Sequence, residues 1–347
     1  MEEVAARSPH TPGGSSSTRS AGFERVFTAD SRRRLSPQAA AEPRWGALMR
    51  VLSPLRYPGG KASLAPFLTD VLDLNDLRGC EYYEPYAGGA GAALALLEDA
   101  IVSHIHINDA DWRIYAFWKT LLDDSAGFIA KIIQAELTLD EWKRQRDICL
   151  APAGHSLEDV GFASFYMNRC NRSGVLNGGP IGGLSQSGEW RLDVRFTKPT
   201  LVARVTEITR LRDRISISNL DAIDFLKNSL PRGGSRRNAF VYLDPPYVVK
   251  GQRLYMNSYE PSDHRDIARY IRSQLTLPWL MSYDDAPLIR ELYSDQQTAY
   301  LPIIYSLQDK KSTNELIVAP HRIRLPRTVR IGARRSDLRE INARKAA

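Results

Sequence analysis

Long apolar runs are missing from this 347-residue chain. No stretch approaches the roughly 20 residues that a bilayer-spanning helix needs. The N-terminus also lacks the apolar core of a secretory signal. The expectation is a cytoplasmic protein with no membrane partner. Cysteine is scarce: Cys80, Cys149 and Cys170 lie far apart, without CxxC or Cys/His spacing. That pattern argues against a disulfide framework and against zinc, and fits a reducing compartment. The six histidines are equally scattered, so no metal site is expected.

Acidic charge is in short supply only at the two ends. The chain carries +7 overall, but residues 321–347 hold nine Lys/Arg against Asp337 and Glu340, a net of +7. Residues 1–50 hold eight Arg against five acids, a net of +3, which leaves the core from 51 to 320 at −3. A high isoelectric point therefore says little about the core.

Residues 1–50, rich in Ser, Gly, Pro, Ala and Arg and without periodicity, read as a disordered leader. From Arg56 the texture changes to that of an α/β protein. Leu64, Phe67, Leu68, Val71 and Leu72 recur at helical spacing, Tyr82-Tyr83 and Ile105–Ile107 read as short strands, and residues 112–147 read as helices. Residues 168–200 are turn-rich and polar, with an alternating, strand-like stretch from Arg191 to Phe196. A helix (200–212), a strand (215–218) and a helix (221–229) lead to the apolar run Phe240–Leu243, which reads as a buried parallel strand. Asp263–Gln274 reads as a helix, Trp279–Ser282 as a strand and Glu315–Ala319 as a last strand. Alternating strands and helices imply a mainly parallel sheet covered on both faces. The expected organisation is a cofactor half (51–121), an insert (122–212) with a basic hairpin at about 169–198, a catalytic half (213–320) and a basic tail (321–347).

The chemistry is concentrated at the strand ends. Asp244-Pro245-Pro246-Tyr247 closes the strand Phe240–Leu243. Two prolines stiffen the turn and leave its carbonyls free to accept, Asp244 adds a second acceptor, and Tyr247 adds a flat face. Together these would hold a planar amine, such as the exocyclic amine of a nucleobase. Glu84-Pro85-Tyr86-Ala87-Gly88-Gly89-Ala90-Gly91 lies between a strand and a helix, in the crevice where open α/β sheets bind ligands. Asp109, ending the next strand, is suited to accept from ribose hydroxyls. A dinucleotide fingerprint fails, because Leu94 stands at its third glycine. A phosphate loop at Gly59-Gly60-Lys61 fails too, with Leu55 and Ala62 at its defining positions. A nucleoside-type cofactor without pyrophosphate remains, which S-adenosylmethionine satisfies.

Taken together, Tyr57-Pro58-Gly59-Gly60-Lys61, Glu84–Gly91, Asn108-Asp109, Asn219-Leu220-Asp221 and Asp244–Tyr247 resemble the Dam-type (D12 class) DNA adenine-N6 methyltransferases. Tyr255–His264 and Asn168–Gly174 resemble further segments of that family, and the likeness covers about residues 54–320. It implies a Rossmann-like S-adenosylmethionine-dependent methyltransferase sheet with an inserted target-recognition domain. It also implies that Tyr57, Lys61, Glu84, Tyr86, Gly88, Gly89, Gly91, Asp109, Asp221 and Asp244 contact the cofactor. Lys61 would meet the methionine carboxylate and Asp109 the ribose. Asp221 would accept from the cofactor adenine, or simply cap a helix before Ala222. Asp244, Pro245, Pro246 and Tyr247 would be catalytic, acting on a flipped adenine of double-stranded DNA.

DNA contacts are expected from Arg169, Asn171, Arg172, Asn177, Arg191, Arg195 and Lys198, in a segment of net +3 whose bland reading is a solvated loop. The tail would add non-specific affinity or be a solvated end. Cytosine N4, RNA adenine and a protein amide stay open as substrates, as does a catalytically idle DNA-binding module. The motifs suit a solitary methylase at the nucleoid, a phage-protective enzyme or one half of a restriction–modification pair with a cognate endonuclease, and carry no oligomeric signal.

Overall fold

A computed structural model describes residues 51–56, 61–233, 238–248, 259–304, 312–331 and 334–340. The leader 1–50, Tyr57 with the Pro58–Gly60 turn, the segment 255–258 and residues 341–347 lie outside the described residues.

The central sheet is built from βα steps, short after the first and third strands and, after the second, lengthened by the helices from Trp112 to Leu211. β1 (Glu81–Glu84), β2 (His104–Asn108) and β3 (Ile215–Ser218) pair in parallel, and β4 (Ala239–Leu243) returns to the other side of β1. β5 (Trp279–Asp284) extends that side in parallel. β6 (Gln297–Ile304) and β7 (Ser312–Ala319) then form an antiparallel pair, with β7 seated against β5. The two-residue β10 (Arg339–Glu340) edges β6, so the strand order is β10-β6-β7-β5-β4-β1-β2-β3. The order reverses between β1 and β4, which makes the carboxyl ends of those two strands the natural ligand crevice.

Side-chain alternation explains why helices cover both faces. On β4, Phe240 and Tyr242 enter one hydrophobic cluster, while Ala239, Val241 and Leu243 enter another. The first cluster gathers α1 (Ala65–Leu74), α2 (Gly91–Glu98), α3 (Trp112–Asp123) and the helices after it: α4 (Ser125–Gln134), α5 (Leu139–Leu150), α6 (Leu157–Cys170) and α7 (Lys198–Leu211). The second gathers α8 (Ala222–Asn228), α9 (Pro261–Gln274) and α10 (Pro287–Leu292). The helices of the 122–212 insert thus share one continuous core with the sheet, through Phe117, Phe128, Phe165 and Phe196. Side-chain caps from Asp111, Asp124, Thr138, Ser156 and Asp221 start five of these helices. No helix among the described residues is long and apolar enough to cross a membrane.

Three elements differ from the sequence expectation. Residues 191–196 form turns instead of a strand, because Leu192 and Phe196, four apart, both turn inward to the core. The expected hairpin at 169–198 has a single bridge, Asn171 to Pro180, and α6 runs to Cys170. Glu315–Ala319 belongs to the longer β7, and it is not the last strand. Residues 321–340 carry β8 (Thr328–Ile331), β9 (Arg334–Asp337) and β10, with Val329 fully buried and Arg330 bound to Asp70 at 2.5 Å. That part of the tail is folded, so a wholly solvated end does not describe it.

Candidate active site

The loop after β1 is shaped by backbone geometry that few side chains tolerate. Gly88 and Ala90 both have a φ of 46°, in the left-handed region. A Cβ on Gly91 would come within 3.1 Å of the Ala62 nitrogen and 3.2 Å of its Cβ, so glycine eases the close approach of α2 to the Lys61–Leu64 turn. Trp118 donates to the Gly88 carbonyl at 2.9 Å, and the Gly88 amide donates to Asp109 Oδ2 at 2.9 Å. Asp109 Oδ1 accepts from the Asp111 amide. Burial raises the Asp109 carboxyl to about 7, with these amides opposing the rise.

Asn108, fully buried, ties three strand ends together. Its amide nitrogen donates to the carbonyls of Pro85 and Leu220, and its oxygen accepts from Ser218 Oγ and the Leu220 amide. The neighbouring Asp221 is an exposed N-cap, accepting from Ile223 and Asp224 amides through Oδ1. The capping alternative is therefore what the geometry contains.

Register brings four polar side chains onto one face of adjacent strands. Tyr82 lies opposite Phe240, Tyr242 opposite Leu280, and Ser282 opposite Ile317. Glu84, Asp244, Ser282 and Glu315 therefore share the parity that faces the first cluster. Lys61 enters from the turn before α1, only 7% exposed. Its Nζ lies 3.1 Å from Asp244 Oδ1, 3.0 Å from Glu315 Oε1 and 2.5 Å from the Tyr247 hydroxyl. Tyr247 in turn donates to Glu315 Oε1 at 2.5 Å, and Lys61 Nζ stands 4.9 Å from the centre of its ring. Ser282 Oγ donates to Asp244 Oδ1 at 3.0 Å and is itself hydrogen-bonded to Tyr242. Pro245 and Pro246 follow in the turn, and the Val248 amide fixes it to Asp284 Oδ1.

The electrostatics follow from burial. Burial disfavours the Lys61 charge, but the Asp244 and Glu315 carboxylates outweigh it and hold the ammonium well above the usual lysine range. Burial lifts Asp244 to about 6, with Glu315 adding to the rise and Lys61 opposing it. Glu84 is pushed well above the carboxylate range, first by burial and then by Asp244. Oε2 of Glu84 and Oε2 of Glu315 are buried without a hydrogen-bond partner among the described residues. Nearby, Tyr86 and Tyr259 share a hydroxyl–hydroxyl hydrogen bond of 2.9 Å, their rings 6.0 Å apart edge to face.

Lys61, Glu84, Gly88, Asp109, Asp244 and Tyr247 are thus gathered at the ends of β1, β2 and β4. Tyr57 falls outside the described residues. Sequence reasoning did not single out Glu315 or Ser282. The available signal was a lone carboxylate opening the apolar run Leu316–Ala319.

The residues expected to meet DNA divide sharply. Arg169 is buried, and its guanidinium donates to the Arg195 carbonyl and to the Pro54 carbonyl. Burial, with Arg56 and Arg204 nearby, lowers it to about 9. Asn171 is fully buried, accepting from Trp142 Nε1 and donating to the Val175 and Leu176 carbonyls. Both side chains are placed to hold the segment's shape. Asn177 is exposed but accepts from Arg113, and Lys198 donates to the Ile133 carbonyl. Arg172, Arg191 and Arg195 are exposed on the loop, together with Leu184 and Trp190.

No curated protein sequence matches the chain. Residues 57–307 match the family model of the D12 class N6 adenine-specific DNA methyltransferases, and with that span covering most of its length the chain belongs to this family of enzymes.

Proposed function

We propose that the site transfers a methyl group from S-adenosylmethionine to N6 of an adenine swung out of duplex DNA, at a specific sequence. The single observation that carries the reading is the convergence of Asp244 and Lys61 at the switch point between β1 and β4. The polar groups there suit this cofactor. Lys61 matches a carboxylate, Asp109 a ribose diol, and the unpartnered buried oxygens of Glu84 and Glu315 match a ligand that carries cationic groups. When bound, the cofactor supplies an electrophilic methyl group.

The chain's own residues then do the rest. Adenine N6 is a weak nucleophile because its lone pair is delocalised into the ring. Asp244 and the Pro245 carbonyl accept hydrogen bonds from the amine and draw the nitrogen toward tetrahedral geometry. Lys61 and Ser282 both engage Oδ1 of Asp244, so Oδ2 is the oxygen placed to accept. Tyr247 presents its ring to the base. Positioning and electrostatics lower such a barrier without a covalent enzyme intermediate.

DNA is read from the loop 172–198. Arg172, Arg191 and Arg195 supply exposed positive charge, and Leu184 and Trp190 supply apolar contacts for a duplex distorted by base extrusion. A groove of about 390 Å³ beside this loop is lined by Trp142, Lys143, Arg146, Asn177 and Leu184.

Incubation with labelled S-adenosylmethionine and mixed DNA and RNA tests the reading. Label should enter DNA as N6-methyladenine, and Asp244→Ala should abolish it while DNA binding survives. Label in cytosine or in RNA, or near-normal methylation by Asp244→Ala, would overturn it.

A further inference from the structure

β7 is buried and apolar from Leu316 to Ala319, yet the residue just before that run, Glu315, is a carboxylate that is 2% exposed. A sheet core at that position calls for an aliphatic side chain, because a buried carboxylate is unfavourable unless a neighbour needs its charge. The antiparallel direction of β7 explains the location. Running antiparallel, it brings Glu315 into register with Asp284 at the carboxyl end of β5, and so to the crevice. One oxygen, Oε1, holds both Lys61 Nζ at 3.0 Å and the Tyr247 hydroxyl at 2.5 Å. Lys61 is shared almost evenly, with Asp244 Oδ1 at 3.1 Å.

We propose that Glu315 is a positioning residue for methyl transfer, acting through Lys61 and Tyr247 and touching neither the base nor the methyl group. The proposal rests on the reading of the site given above. Glu315 does two things at once. It competes for the Lys61 ammonium, which would otherwise bond Asp244 Oδ1 alone and draw charge away from the carboxylate whose Oδ2 is the acceptor for N6. It also tethers the Tyr247 hydroxyl, which sets the ring that faces the base. The cofactor end and the base end of the site are thereby coupled through one carboxylate.

The test compares Glu315→Gln, Tyr247→Phe and the double variant with the wild-type protein. Glu315→Gln should lower kcat/KM by roughly 10²-fold, the loss typical of misplaced reacting groups. It should weaken S-adenosylmethionine binding in calorimetry and reduce extrusion of a 2-aminopurine placed at the target adenine. Its acid limb should move to lower pH, because a negative neighbour of Asp244 is gone and Lys61 is held by Asp244 alone. The double variant should be no worse than Glu315→Gln, since both changes cut the same tether. A purely structural carboxylate would give additive losses and an unmoved pH limb, and either result overturns the proposal. If Glu315→Gln does not fold, Glu315→Asp carries the same readouts, and wild-type values in that shortened variant likewise overturn it. Should the wild-type protein methylate no nucleic acid, the proposed function falls. Cofactor calorimetry on Glu315→Gln then decides the positioning role alone, with unchanged affinity overturning it.

Discussion

At the scale of single residues, the site is a contest over one proton acceptor. Asp244 must be ionised to accept from an amine, yet burial lifts it to about 6. For a carboxyl raised in this way, acceptor capacity is lost as the pH falls through that value and is complete well above it. The profile of kcat/KM should therefore show an acid limb near 6, reporting the uncomplexed enzyme. Lys61 is the cation that restrains the rise, so Lys61→Met should move the limb to higher pH while lowering activity. The same variant leaves Asp244 and Glu315 facing each other without a cation. Breaking a buried ion pair from one side costs about 3 kcal/mol, so a matching drop in denaturant stability is expected from Lys61→Met. A limb that stays put in this variant would show that Lys61 does not set the Asp244 carboxyl.

At the scale of elements, three loops converge because Asn108 occupies all its hydrogen-bonding capacity on them. Asn108→Leu should orphan two carbonyls, an amide and a hydroxyl in a dry setting. It should cost about 2–4 kcal/mol and lower the thermal midpoint, with cofactor affinity falling in step. Retained stability would mean that the loop geometry is held elsewhere. The parallel strands were legible in the sequence because β1, β4 and β5 hold short apolar runs that lead to a polar or acidic residue, while β2 and β3 alternate isoleucine with polar residues. β6 was not, because Pro302 interrupts its pattern, and the sheet tolerates that proline near its edge. The stretch 191–196 was misread because Leu192 and Phe196 fit an alternating pattern as well as a turn that buries both. The Asp244 carboxylate, Lys61 and the glycine loop could be found from local patterns. Burial of Arg169 and Asn171 could not, since their fixed partners include Pro54 and Arg56, more than a hundred positions away in the chain.

At the scale of the whole molecule, the net charge of +7 misleads if it is taken as a DNA-binding surface. In the described part of the basic tail, Arg324 bonds Asp76 and Asn75, and Arg330 clasps Asp70. Arg322 caps the carbonyls of Thr276 and Leu277. These arginines fasten β8 and its neighbours onto α1 and the sheet. Arg172 and Arg191, on the 172–198 loop, are exposed to solvent. Stability and DNA affinity should therefore separate under mutation. Arg324→Ala with Arg330→Ala should lower the melting temperature by a few degrees, since the partly buried Arg330–Asp70 pair contributes about 1 kcal/mol and the exposed Arg324–Asp76 pair adds little. The salt dependence of DNA binding should not change in that variant. Arg172→Ala with Arg191→Ala should leave melting unchanged and reduce the slope of log affinity against log salt by about 2, one phosphate contact for each arginine. Equal slopes in the two variants would place the DNA face elsewhere on the molecule.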